Sequence, residues 1–412
     1  MGFASSWLEK SALFPQFIAE EPDYKTGIII VVPAYNETGI TCLLDSLLRC
    51  EEPDCKVEVL IVINAPPDAP EEHIINNELS ISNIEDWKLI NKPFFRLYEF
   101  ETRPLPGWGV GMARKSGMDE ALRRFSLIEN TNGVIVSLDA DCTVQANYFR
   151  SIESILLREK SRMACSIYFE HETSDTGCID ILRYELHLRY YVNGLIYSGF
   201  PYSFHTVGSA MAVKALQYMK VGGMNRKQAG EDFYFIQKLA GAGDYFNLTA
   251  TTVFPSSRSS SRVPFGTGPT MEKLSKGMEN QLLTYNFQAF NDLKDFFDKI
   301  PLMYQTDNEL SFEYNKLSPG IRSFLSLGEL LLKITEIKKN TSSYESFRKR
   351  FFTWFNMFKI IKFMNHVHNN FVKKIPVGEA SKILLKNTGK VMDDAGEIEL
   401  LRFFRMQDRG EV

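Results

Sequence analysis

Gly27-Ile28-Ile29-Ile30-Val31-Val32-Pro33 is an unbroken β-branched run closed by proline, and Gly133-Val134-Ile135-Val136-Ser137-Leu138-Asp139 repeats the pattern. A strand with one face in water alternates apolar and polar residues. A run without alternation fits a strand covered on both faces, as in a parallel sheet. Between the two runs the pattern predicts a helix over Thr38–Arg49, a strand Val57–Ile63, a proline-rich loop from Ala65, a strand near Phe94–Phe100 and a helix over Met112–Phe125. Strands alternating with helices imply right-handed crossovers, hence an α/β, Rossmann-like, mostly parallel sheet flanked by helices. In such sheets ligands bind beyond the carboxyl ends of the strands. Pro33 to Glu37 and Asp139-Ala140-Asp141 stand at two of those ends.

Further along, the pattern predicts a strand near Ala164–Phe169, a helix around Ile179–Leu195, a short strand Ala210–Val213 and a helix opening at Glu231. The polar stretch from Ser256, carrying Arg258 and Arg262, precedes a region rich in Lys, Asn and Phe without a comparable strand. This divides the chain into an N-terminal extension (1–26), an α/β domain (27–270) and a helical C-terminal region (271–412). The 412 residues, 44% of them hydrophobic, suffice for a large core and argue against disorder. With 47 Lys and Arg against 51 Asp and Glu, the net charge of −4 argues against a nucleic-acid partner. The six cysteines form no C-x-x-C pair and no zinc spacing, which fits a reducing, cytoplasmic setting. The start lacks a secretory signal and matches only the loose M-G-x-x-x-S acylation pattern, and no bilayer span is predicted.

Three groups of residues can carry chemistry. Asp139 and Asp141, two apart at the end of a buried strand, can converge on one hard cation, Mg²⁺ or Mn²⁺. The competing reading is a solvated surface loop. Gly107-Trp108-Gly109-Val110-Gly111 opens a helix that places Arg114 and Lys115 in its first turns, so backbone N–H groups at Gly109 and Gly111 and both cations could meet an anion. The spacing fails the dinucleotide fingerprint, and a simple helix-start turn explains it too. Glu231-Asp232 begins an apolar helical run, where acids favour the dipole but can also accept a proton from a hydroxyl.

Pro33-Ala34-Tyr35-Asn36-Glu37, the Gly107–Gly117 stretch, Asp139-Ala140-Asp141, Gly208-Ser209-Ala210-Met211 with Gly222-Gly223, and Gly230-Glu231-Asp232 occur in one order. That order, over roughly residues 27 to 270, resembles the GT-A fold glycosyltransferases of family 2. The resemblance implies a nucleoside-diphosphate sugar donor, inversion at the anomeric carbon and a Mg²⁺ or Mn²⁺ ion between protein and diphosphate. By position it implies that Pro33, Ala34, Tyr35 and Glu37 line the nucleoside pocket, that Asp139 lies at ribose and metal and that Asp141 ligates the metal. Asp232 would be the general base with Glu231 beside it. Arg258 and Arg262 are expected to fold over the diphosphate as a lid, with a plain linker as the alternative. One departure stands out: many members carry an acidic D-G-S-like turn after the second strand, where this chain has Asn64-Ala65-Pro66. Asn64 can donate and accept, so it leaves the base, uracil or guanine, open.

A nucleotidyltransferase would share the sheet and the acid pair but calls for a glycine-rich turn after the first strand, where Pro33 stands. A silent nucleotide-sugar binding protein is the third class. The acceptor is expected to be a saccharide or a lipid-linked hydroxyl. Residues 344–374 carry seven Lys and Arg against the single acid Glu345, and Phe347, Phe351, Trp354, Phe358 and Ile361 share one helical face. Such a helix either docks on the inner face of a membrane or packs inside its own domain.

Overall fold

The computed structural model describes residues 2–103, 105, 107–172, 179–227, 230–256, 282–305 and 310–412, the side chain of Leu310 excepted. The chain forms two compact units, one of residues 1–176 and 206–270, the other of residues 177–205 and 271–412.

The first unit is built on an eight-stranded sheet. Its strands are β1 (Thr26–Ala34), β2 (Lys56–Ile63), β3 (Arg96–Glu101), β4 (Val134–Ser137), β5 (Thr143–Val144), β6 (Ala164–Phe169), β7 (Met211–Lys214) and β8 (Tyr245–Phe254). Their spatial order is β3-β2-β1-β4-β7-β6-β8-β5. Pairs β1–β2, β2–β3, β1–β4 and β6–β8 are parallel, and the antiparallel pairs all involve β7 or β5. The expected α/β architecture, a mostly parallel sheet flanked by helices, is therefore present. The two runs that predicted it are direct neighbours: Ile28 sits beside Val134 and Val31 beside Ser137. All of β1 and β4 is buried, the reason their sequences do not alternate. From β1 the chain steps outward through β2 and β3, then returns to place β4 on the other side of β1, so the crevice for a ligand opens at the carboxyl ends of β1 and β4.

Helices α1 (Ser5–Ser11), α2 (Ile40–Leu48), α3 (Glu71–Ile90) and α4 (Val110–Leu127) precede β4. Gly117 lets α4 lie flat on the sheet, since a Cβ there would come within 2.4 Å of the Val31 side chain. The N-terminal residues join this core: Ala4, Leu8 and Ile18 are buried with Val31, Leu122 and Phe125. The Phe17 and Ile18 N–H groups donate to the buried Glu120 carboxylate at 3.3 and 3.2 Å. Arg124, fully buried, forks onto Glu58 of β2.

In the second unit α6 (Ile179–Tyr197), counted after α5 (Tyr148–Ile152), packs with helices Phe287–Phe297, Val377–Asn387 and Glu397–Arg409. Tyr190 and Phe200 are buried here against other rings, so these aromatic residues serve core packing. The single basic helix expected across 344–374 is two helices, Tyr344–Trp354 and Met357–Asn370, with Asn356 capping the second. Phe347, Phe351, Phe352, Phe355, Ile360 and Phe363 are all buried, and Arg348, Lys349 and Arg350 remain exposed. Of the expected stripe, Phe347 and Phe351 are therefore core, while Trp354, Phe358 and Ile361 are partly buried. No helix of the described residues is long and apolar enough to cross a membrane.

Candidate active site

Asp139 follows β4, and helices α7 (Ala215–Lys220) and α8 (Glu231–Ala242) follow β7. Gly230 precedes α8 with φ +69°, a left-handed turn that glycine adopts without strain and that delivers Glu231 and Asp232 as the first helical residues. Between strand end and helix start lies Arg114, from the first turns of α4. Its Nη2 donates to Asp139 Oδ1 at 2.7 Å and its Nη1 to Glu231 Oε1. Only 3% of the Arg114 side chain and 4% of Glu231 is exposed, against 38% of Asp139.

The electrostatics follow from that crowding. Burial opposes the Arg114 charge, but the carboxylates of Asp139, Glu231 and Asp232 outweigh it and hold the guanidinium above its ordinary range. Burial pushes the Glu231 carboxyl up to about 7, against the pull of Arg114 and with the Asp232 charge adding to the rise. Burial raises Asp232 as well, opposed by Arg114, and its Oδ1 accepts the Phe233 N–H at 2.7 Å. Three carboxylates act on one guanidinium, so the site carries excess negative charge that a divalent cation would relieve. Asp139 keeps its second oxygen out of the Arg114 contact, and Asp141 stands two residues on. No three-residue His, Cys, Asp or Glu cluster of metal-holding geometry occurs among the described residues. Two carboxylates completed by diphosphate oxygens and water suit Mg²⁺ or Mn²⁺, which are seldom caged by protein alone.

Pro33 and Ala34 close β1, both buried. Tyr35 is half-buried, and its hydroxyl shares a 2.7 Å hydrogen bond with His73 Nδ1. Glu37 is buried and accepts the Gly39 N–H at 3.2 Å. Asn64 is buried with its amide engaged: Nδ2 donates to Ala34 and Val62 carbonyls, and Oδ1 accepts from Trp108 Nε1 at 3.1 Å. It ties β1 to the entrance of α4, where the sequence suggested an amide open to a base.

The glycine-rich entry to α4 also differs from expectation. Gly109 caps the helix in an extended conformation. Gly111 is needed for packing, because a Cβ there would lie 2.1 Å from the Lys227 carbonyl oxygen and 2.9 Å from Glu231 Cβ. Lys115 points away from the site into a buried pair with Asp119, which also accepts the Tyr218 hydroxyl. Arg258 and Arg262 lie outside the described residues. Sequence reasoning missed two features: the Tyr35–His73 pair, and the packing of Gly208 onto the Arg114 guanidinium, where a Cβ would come within 2.9 Å of both Nη atoms. The Tyr35–His73 pair leaves no periodic or motif signal, and the motif that holds Gly208 does not disclose its packing on Arg114.

No protein-family model matches this sequence, and no curated protein matches it. Among solved structures the chain is similar to S. aureus TarS 1-349 in complex with UDP-GlcNAc, at 14% identity over 93% of this chain and 88% of that one, TM-score 0.41. It is also similar to the mannosyltransferase PcManGT from Pyrobaculum calidifontis in complex with GDP-Man and Mn²⁺, at 17% identity over 90% and 93% of the chains, TM-score 0.39. A third similarity is to glucosyl-3-phosphoglycerate synthase from Mycobacterium tuberculosis in complex with phosphoglyceric acid, at 12% identity over 60% and 79%, TM-score 0.36. At these identities the functional reading rests on the site itself.

Proposed function

We propose that the chain is a nucleotide-sugar-dependent glycosyltransferase of the GT-A type and family 2 kind, moving a sugar to a hydroxyl acceptor with inversion. The observation that carries this reading is the convergence of a strand-end acid, Asp139, and the helix-start acids Glu231 and Asp232 on one buried guanidinium at the carboxyl edge of the sheet.

In this reading the Asp232 carboxylate takes the proton of the acceptor hydroxyl as its oxygen attacks the anomeric carbon and the diphosphate leaves from the opposite face. The raised affinity of Asp232 for a proton suits that role. Glu231, held by Arg114, fixes the first turn of α8 and thereby the base. Asp139 and Asp141 would hold Mg²⁺ or Mn²⁺, which neutralises charge developing on the leaving diphosphate. Pro33, Ala34, Tyr35 and Glu37 border the nucleoside side. The acceptor is a saccharide or a lipid-linked hydroxyl in glycan synthesis at the inner face of the membrane, and membrane contact through 344–374 would rest mainly on exposed basic side chains, with Phe371 exposed among them.

The test is a panel of UDP- and GDP-sugars with Mg²⁺, Mn²⁺ or EDTA, scored by thermal shift and by slow donor hydrolysis, which needs no acceptor. Metal-dependent stabilisation with release of nucleoside diphosphate is expected. In a separate arm offering a nucleoside triphosphate and a sugar 1-phosphate, pyrophosphate release with formation of the nucleotide sugar would point to nucleotidyl transfer, and no shift with any donor would remove the reading.

A further inference from the structure

We propose that Arg114 is a positioning residue that couples the metal-holding end of β4 to the base-bearing first turn of α8, and that it makes no contact with the donor. The inference rests on the function proposed above and concerns how its two halves are held in register. A cation early in a glycine-rich helix invites assignment to the diphosphate. In the fold, however, the guanidinium is enclosed. One arm meets Glu231, the other meets Asp139 Oδ1 at 2.7 Å, and Gly208 closes in on both Nη atoms. The remaining Nε is buried with no hydrogen-bond partner among the described residues. Both Nη atoms are thus engaged with carboxylates, and only 3% of the side chain is exposed.

A rigid two-armed fork can fix two carboxylates at a set separation, which a lysine ammonium on a flexible stem cannot. With Oδ1 of Asp139 engaged, its rotamer is set and the other oxygen is left for a cation. With Glu231 engaged, the next residue, Asp232, is set in turn. The two ends are therefore linked: a change at Glu231, which is outside the metal-holding pair, is felt at Asp139. Partners that orient metal ligands in this way typically change metal affinity by about 10- to 100-fold when removed.

The experiment is Mn²⁺ binding to the full chain without donor, followed by the electron paramagnetic resonance of free Mn²⁺, with thermal unfolding recorded for each variant. Glu231→Ala is expected to weaken Mn²⁺ binding by about tenfold or more. Glu231→Gln keeps an oxygen that accepts from Nη1 and is expected to stay within about threefold of wild type. Arg114→Lys should weaken binding as Glu231→Ala does. Gly208→Ala, a milder change that pushes the guanidinium aside, should act in the same direction if the arginine variant fails to fold. Equal Mn²⁺ affinities for wild type, Glu231→Ala and Gly208→Ala would overturn the coupling. An Arg114→Lys protein with unchanged Mn²⁺ affinity but weakened nucleotide binding would make Arg114 a donor contact instead. Absence of Mn²⁺ binding to the wild-type chain would overturn the metal reading itself, and this inference with it.

Discussion

At Asp141 and Asp232 the proposed chemistry separates into binding and turnover. Asp141→Asn removes a charged oxygen donor from a hard cation, so metal-dependent donor binding should be lost; calorimetry with and without EDTA measures it, and unchanged affinity excludes Asp141 as a ligand. Asp232→Asn should leave donor affinity nearly intact while cutting turnover by about 10² or more, the scale of losing a general base. Glu231 gives a pH signature. Its carboxyl is raised from 4.5 to about 7 in the fold, so across that window the native protein holds a proton the unfolded chain has released. Stability then declines as pH rises from 4.5 to about 7, and the full cost is present above it. The Glu231→Gln protein should lack that decline in a series of melting temperatures against pH.

Helix punctuation explains what the element pattern could and could not disclose. β1, β2 and β4 were legible because burial on both faces leaves a continuous apolar run. α3 was not: its buried residues are Asn77, Ser80, Ile84 and Trp87, half of them polar, so Glu71–Ile90 has no apolar stripe. Asn77 is spent on the β1 and β2 exits, accepting the Asn36 N–H and donating to the Asn64 carbonyl. β8 was hidden by threonines that mix buried and partly exposed positions. In the C-terminal region the one predicted helical face was split at Asn356, whose side chain accepts the Phe358 and Lys359 N–H groups at 3.1 and 3.2 Å. Asn356→Ala should cost about 1 kcal/mol, the usual worth of an N-cap, read as a lower melting temperature. An unchanged value would mean the break is held by the surrounding phenylalanines alone.

Over the whole molecule, charge and burial together bear on membrane contact. Phe347, Phe351, Phe352, Phe355 and Phe363 are committed to the core of their unit, Tyr344, Trp354 and Phe358 are partly buried, and Phe371 is exposed beside the exposed Lys and Arg. Retention on anionic vesicles should therefore be mainly electrostatic and largely disappear at high salt, because exposed charges are screened within a Debye length. Co-sedimentation at low and high ionic strength decides this, and salt-resistant binding would show that apolar residues insert.

Sequence alone determined the parallel core, the strand ends where chemistry can sit and the acids there, because these are local properties: apolar runs, abrupt stops and adjacent carboxylates. Only the tertiary structure decided what each cation and glycine is for. Arg114 and Lys115 are consecutive and alike in sequence, yet one brackets Asp139 and Glu231 while the other is buried against Asp119. Asn64 reads as an open amide and is consumed within the fold. Gly111 reads as part of a helix-start turn and Gly208 only as a motif glycine, yet they are the gaps into which the Lys227 carbonyl and the Arg114 guanidinium fit. Most of these roles depend on which side chains meet across tens of residues of chain, 117 for Arg114 and Glu231, and that is settled by packing and by the need to pair buried charge, neither of which leaves a periodic trace.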